Sequence, residues 1–403
     1  MELFWLEHKK LWRKKIVKIC VLLCFVYCVI FGSILSFQWF CFGSSDDYTS
    51  AFGNNFDGYT VIKDSQEYAL SFGGELTDET LQKIVSDYQQ MEADGMGEEL
   101  EKTDWQIVNS WLGTLYPELR DTSNYKTMIS YVDPDKLTGF YERRQQVLDE
   151  FLEVSGQVGA EKEFLHQIER KVEKPFHYEW VEGWSTLLGS TVADLGVVMA
   201  LFLGIVLSSL FAGEWHDNTS TLVLTTRNGW GKIALAKILT GLAFTVELFA
   251  LLAVSSVISQ LFFMGTAGWN MPIQNIKLIA VAPMNMLQAE IYEYAFVLLG
   301  AIGFAGIVMF ISAAVKNNVL TLLLSLAVVY GPMMIAEYLP YEMQKALDLI
   351  PLVGSSTDIF RTNTFRILGK LIWSPYLLIT IPVLIGILCM PFAIKSWSRR
   401  MKA

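Results

Sequence analysis

Leu210-Phe-Ala-Gly-Glu-Trp-His-Asp-Asn-Thr-Ser-Thr-Leu-Val-Leu-Thr-Thr-Arg-Asn-Gly-Trp-Gly-Lys-Ile-Ala-Leu-Ala-Lys237 is a polar stretch caught between two long apolar runs. It opens on the acidic Glu214, passes through the threonine-rich segment 219–226, and closes on the basic Arg227, Lys232 and Lys237. Each flanking run is long enough to cross the ~30 Å hydrocarbon core of a bilayer, for which about 20 helical residues suffice. The stretch between them is therefore read as a short loop at a membrane surface. Working outward, comparable runs occupy residues 16–41, 187–211, 236–264, 291–315, 319–337 and 374–394, which predicts six transmembrane helices.

Composition agrees with that reading. The chain is 52% hydrophobic and 18% charged, whereas soluble domains carry charge on about a quarter of their residues. The run at 16–41 is read as a retained span and not as a cleaved signal peptide. It is too long, and Gln38-Trp39-Phe40-Cys41 replaces the expected small-residue cleavage site. Trp39 and Phe40 suit an outer-interface anchor.

Basic residues set the expected orientation. One group, Lys9, Lys10, Arg13, Lys14, Lys15 and Lys18, leads into the start of the first span. The others are Arg227, Lys232 and Lys237, then Lys316, then Lys395, Arg399, Arg400 and Lys402. With six spans, all four groups fall on one side, which the positive-inside rule makes cytoplasmic. Both termini, including the tail 395–403, are then cytoplasmic, and Val315-Lys-Asn-Asn318 is a tight inner turn. Residues 43–185 become an extracellular domain between spans one and two. That segment holds 29 of the 41 acidic and 12 of the 31 basic residues, so 12 − 29 = −17, which leaves +7 for the rest of a chain with net charge −10. An acidic outer segment and basic inner flanks argue against a nucleic-acid partner.

The fold class expected is thus an all-α membrane protein with a mostly helical extracellular domain. Within that domain, Thr77 or Asp78 caps a helix carrying Leu81, Ile84, Val85 and Tyr88 at helical spacing. Residues 105–115 form a second helix. Asp133-Pro134 starts a third, with Leu137, Tyr141, Leu148 and Phe151 on one side, and 161–172 form a fourth that ends at Pro175. The best strand candidate is 59–62. Residues 338–373 are too apolar for a free loop and too broken by Pro340 and Pro351 to cross, so they are read as outer re-entrant helices. All five cysteines lie in or at spans, and Cys20, Cys24 and Cys28 share one helix face as small apolar packing residues.

Residues 1–15 read as an amphipathic interface helix. Phe4, Trp5, His8, Leu11 and Trp12 share one arc, with Glu2, Lys9, Lys10 and Arg13 elsewhere, a pattern suited to the inner headgroup layer. Chemistry within the chain is not expected. The nearest fragment to a nucleotide-binding loop, Gly229-Trp-Gly-Lys232, lacks the spacer and the following Ser/Thr. The four histidines, His8, His166, His177 and His216, have no zinc-ligand spacing, and no Gly-x-Ser-x-Gly elbow appears. No catalytic residue and no metal site are assigned.

The acid, small-residue turn, Leu-Val-Leu, Arg and Lys order of 210–237 resembles the first cytoplasmic loop of permease subunits in the ABC type 2 exporter family. The resemblance extends to the six-span plan and to the broken segment before span six, but not to 43–185 as a module. Large insertions at that point occur in bacterial family members, including sodium-efflux permeases and peptide-antibiotic exporters. It implies a bacterial plasma-membrane permease subunit without an engine of its own, working with two copies of a separate ATPase that binds ATP and Mg. A second copy of the permease, or a related one, would complete the path. In this reading Glu214, Trp215, His216, Asp217, Leu222, Val223, Leu224 and Arg227 make the coupling element in the loop 212–235, and Phe4, Trp5, Leu11 and Trp12 belong to the interface helix that touches the ATPase.

Intramembrane carboxylates are costly, at least ~2.5 kcal/mol at a helix centre, so they face cavities or partners. Asp194 and Glu247 are the candidates to line a path for a cationic substrate, while Glu290, Glu293 and Glu337 also fit a headgroup position. The acidic outer domain favours a cationic or antimicrobial peptide as cargo over sodium or lipid. Two rival classes are an ATPase-coupled mechanotransmission protein, which the 319–394 hairpin disfavours, and a ligand sensor, which would need an inner signalling domain.

Overall fold

In a computed structural model the described residues are 2–30, 63, 66–67, 69–71, 73–95, 105–121, 126–188, 192–216, 231–354 and 362–399. The structure is mostly helical, at 75%. Helix α1 (Glu2–Arg13) turns at Lys14 into α2 (Lys15–Ile30). A globular domain follows, with β1 (Gly74–Leu76), α3 (Asp78–Ala93), α4 (Trp105–Leu115), α5 (Phe140–Val154), α6 (Ala160–Glu169), β2 (Phe176–Tyr178) and the short α7 (Glu182–Thr186). The remaining helices are α8 (Val192–His216), α9 (Lys232–Met264), α10 (Met286–Ala314), α11 (Asn318–Ile335) and α12 (Tyr341–Leu347). A hairpin of β3 (Thr364–Ile367) and β4 (Lys370–Trp373) then leads into α13 (Ser374–Arg399).

Five of the described helices, α8, α9, α10, α11 and α13, are long and apolar enough to cross a membrane. The chain is a multi-pass membrane protein. Helix α2 is the described part of the run at 16–41, and the strand candidate at 59–62 lies outside the described residues. Helix starts follow their caps. Asn285 and Gln288 form a reciprocal capping box at α10, with Gln288 N donating to Asn285 Oδ1 (2.9 Å) and Asn285 N to Gln288 Oε1 (3.1 Å). Asn317 Oδ1 accepts from Val319 N and Leu320 N and so begins α11 two residues after α10 has ended at its C-cap Val315.

Helix α10 sits at the centre and packs most extensively on α13 and α8. Gly300, Gly303 and Gly306 leave one face of α10 thin, which permits this approach. A Cβ built on Gly386 of α13 would lie 2.5 Å from the Gly303 Cα of α10, and one on Gly306 would meet the Gly386 backbone. Gly386→Ala is expected to force the two helices apart and lower stability by about 1–3 kcal/mol, read as a lower melting temperature in detergent. Gly331→Ala in α11, where a Cβ meets nothing within 4 Å, should leave the melt unchanged or raise it.

The globular domain departs from the expected single insertion. Its core contains Leu81, Val85, Trp111, Leu112, Phe140 and Leu148, and it continues into Met271, Ile273 and Leu278 of the α9–α10 connection and into Trp373 of the hairpin. Three connections therefore build one core. Trp111 Nε1 donates to Asn275 O (2.8 Å), and Thr364 Oγ1 donates to Gln157 Oε1 (2.8 Å). Arg144 is fully buried in α5. It donates to Glu169 Oε1 (2.6 Å), Leu278 O (2.7 Å) and Ala280 O (3.2 Å).

Two local expectations are corrected. Pro134–Lys136 is only a 3₁₀ turn, and α5 starts at Phe140 after Gly139 takes a left-handed φ of 73°. Asp78 of α3 fixes that start by accepting from Gly139 N (2.7 Å) and Phe140 N (2.9 Å). In 338–373 the second re-entrant helix is instead the β3–β4 hairpin, turned by Leu368 and Gly369 at φ 51° and 80°. Two positive φ values in a two-residue loop suit the right-handed strand twist.

Burial pushes the Glu169 carboxyl up, but hydrogen bonds from Lys174 and Arg144 outweigh it and hold the group below its ordinary value of 4.5. A depressed carboxylate contributes stability that is present above its unfolded pKa and lost as pH falls through the folded one. The domain should therefore lose stability on acidification below about pH 4.5. Glu169→Gln should flatten that part of a pH series of thermal melts.

Candidate functional site

The helix pattern of α1 decides what lies at the bundle end remote from the globular domain. Phe4, Glu7, His8, Leu11 and Trp12 recur every three or four residues, so they share the face turned to α9, and Leu11 is buried. Lys10 flanks that face. The result is an alternating chain of charges across three helices. Lys237 Nζ of α9 lies 2.8 Å from Glu7 Oε2 and 2.8 Å from Glu214 Oε1 of α8, and Lys10 Nζ lies 2.5 Å from the same Glu214 oxygen. Glu214 and Lys237 are both buried, at 4% and 1% exposure. Charges so placed need partners, since each desolvated ion carries a penalty of several kcal/mol. Here each has at least one.

A second contact set lies along the same seam. Trp12 Nε1 donates to Glu247 Oε2 (3.0 Å), and His8 Nε2 lies 3.2 Å from Glu247 Oε1. The rings of Phe4 and His8 stack at 5.5 Å, and Trp12 meets Phe244 edge-on at 5.7 Å. Lys14 Nζ donates to Ser209 Oγ (2.9 Å) at the α1–α2 bend. Trp215, next to Glu214, packs on Trp397 of α13 (6.0 Å) and under the Lys316 ammonium (4.4 Å) of the α10–α11 turn. Both flanks of the 217–230 segment are thus anchored: α8 through Glu214 and Trp215, α9 through Lys237.

The residues expected to act here are distributed as follows. Glu214, Leu11, Trp12 and Glu247 come together in the seam, with Phe4 half-buried at its edge, whereas Trp215 packs on α13 and the α10–α11 turn. Trp5 stays 62% exposed. His216 ends α8, and Asp194 lies in its first turn, the side chains of both falling outside the described residues. Asp217, Leu222, Val223, Leu224 and Arg227 also lie outside them. Glu247 takes its partners from α1, which gives it a local role at the seam. Glu290 and Glu293 lie in the first turns of α10 and are buried against the protein. Sequence reading missed Glu7 and Lys10 as partners of the buried Glu214 and Lys237. Their spacing of three, with Leu11 beside them, was the available signal.

The arrangement is a latch. Its cleft, lined by Glu7, Lys10, Lys14, Ser209, Glu214 and Lys237, has about 20 Å³ of free volume, room for about one water molecule. Among the described residues no group of three His, Cys, Asp or Glu side chains is placed to hold a metal ion. No protein-family model, curated protein or solved structure matches the chain.

Proposed function

We propose that the chain is the membrane-spanning subunit of an ABC-type exporter, moving substrate outward with ATP hydrolysed by a separate ATPase. The observation that carries this reading is the latch, which ties α1 and both flanks of the 217–230 segment into one stiff base. A loop that receives force from a soluble partner needs such a base, because a floppy mount would absorb the motion. Leu222, Val223 and Leu224 offer the apolar knob, and Arg227 the charge for a partner's acid. Trp5, exposed at the same end, extends the contact surface.

In this reading α2 begins the first of six spans, α1 and the C-terminal tail lie inside a bacterial plasma membrane, and the globular domain lies outside. Two permease chains and two ATPase chains form the working assembly. The charge of −17 over 43–185 favours a cationic peptide as cargo. A mechanotransmission protein is the second reading, favoured by the way the domain grips the far end of α9 through Trp180 Nε1 to Met264 O and Trp184 Nε1 to Thr266 O.

The test is affinity purification of the tagged chain from native membranes, with ATP hydrolysis measured on the eluate. A P-loop ATPase should co-purify and hydrolyse ATP. Leu222→Glu with Arg227→Ala should lose it without altering the melting temperature. If no ATPase accompanies the intact chain, the exporter and mechanotransmission readings both fail. ATPase-dependent uptake of a cationic peptide into inverted vesicles separates the two.

A further inference from the structure

A cavity of about 380 Å³ opens where the strand-β2 end of the globular domain meets the α9–α10 connection. It lies at the opposite end of the bundle from the latch and serves no part of the exporter reading. Its size falls in the range of small-molecule sites, roughly 300–1,000 Å³. Lys171 and Glu173 stand on one wall, two residues apart on the segment leading into β2. Among the described residues neither charge has an ion-pair partner, although most other charged groups of the domain do. Two opposite and uncommitted charges on one rim match the two ends of a zwitterion.

The rest of the lining supplies what a peptide group needs. Gln274 borders the cavity and is fully buried. Its Nε2 donates to Ala280 O (3.0 Å) and Ala282 O (2.9 Å), which fixes the amide. Its Oε1 has no hydrogen-bond partner among the described residues. A buried acceptor left unmade costs about 1–3 kcal/mol; the oxygen is sealed from solvent, so a ligand N–H reaches it through a small side-chain shift and gains that amount back. Pro272 and Pro283 add apolar ring surface beside these polar groups, suited to a short aliphatic side chain.

We propose that this cavity binds a short zwitterionic peptide of about two residues. Lys171 takes the carboxylate, Glu173 the ammonium, and Gln274 Oε1 the peptide N–H. Charge-assisted contacts at both ends make recognition depend on free termini.

The test is isothermal titration of the purified full chain in detergent with alanyl-alanine, and with N-acetyl-alanyl-alanine amide as the probe lacking both charges. Alanyl-alanine should bind with millimolar or tighter affinity, and the blocked peptide should not. Lys171→Glu should weaken binding about tenfold or more. Lys126→Glu, which alters an exposed lysine elsewhere in the domain, should bind as the unaltered chain does. Lys171 is exposed, so the variant should melt normally, and a melt in parallel verifies this. Absence of any binding to the intact chain overturns the proposal. Equal affinity for the blocked peptide, or undiminished affinity in a folded Lys171→Glu, does so as well.

Discussion

Arg144→Met is expected to remove about 3–5 kcal/mol of stability, the largest effect of any single substitution in the globular domain. The guanidinium is fully buried, and three groups depend on it: the Glu169 carboxylate and the carbonyls of Leu278 and Ala280. Methionine fills a similar volume, so the loss is electrostatic and not a packing void. Lys174 stays 2.9 Å from Glu169 and softens the damage to the carboxylate. Ala280 O likewise keeps the hydrogen bond from Gln274 Nε2, but the Leu278 carbonyl has no other donor among the described residues. The loss should appear as a melting transition lowered by many degrees and as faster proteolysis of the α9–α10 connection. Adding Glu169→Met should recover part of it, because a buried pair replaced whole by apolar groups is often neutral. A single-variant loss below about 1 kcal/mol would mean that water reaches Arg144.

Lys237→Met is expected to have an effect of the same order at the other end of the bundle. It strips Glu7 of its only ion pair among the described residues and takes the buried ammonium away from Glu214, which keeps Lys10. Lys10 is half exposed, whereas Lys237 is sealed, so the sealed lysine carries most of the interaction. The expected loss is about 3 kcal/mol or more, with detachment of α1 from α9. A double-mutant cycle of Lys237→Met with Glu214→Leu should give a coupling energy above roughly 1.5 kcal/mol. A coupling energy near zero would dismiss the latch as a crowded but idle set of charges.

Long apolar runs and local caps were legible because both signals are carried within a few residues. Thr77 caps α3 and Leu81, Ile84, Val85 and Tyr88 line its buried face, as their spacing suggests. Helix α5 shows where such reading stops. Its spacing points to Leu137, Tyr141, Leu148 and Phe151 as the apolar side, but the buried stripe is Phe140, Arg144, Leu148 and Leu152. A charged residue in the middle of the stripe hides the period, and the carbonyls that justify it lie 134 and 136 residues away. Glu247 is similar. Alone in a span it resembles a path residue, yet its partner Trp12 is 235 positions distant. The three-part core of the globular domain was hidden for the same reason, since no local pattern tells one loop that it completes the core of another.

Helix α9 runs unbroken for 33 residues, from beside the latch to the turn held by Trp180 and Trp184. At 1.5 Å per residue, Lys237 and Met264 stand about 40 Å apart on one rod. Both ends are gripped, so the helix has the mounting of a push-rod. A shift of the latch along its axis must reappear, undiminished except for bending, beneath the peptide-sized cavity at the far end.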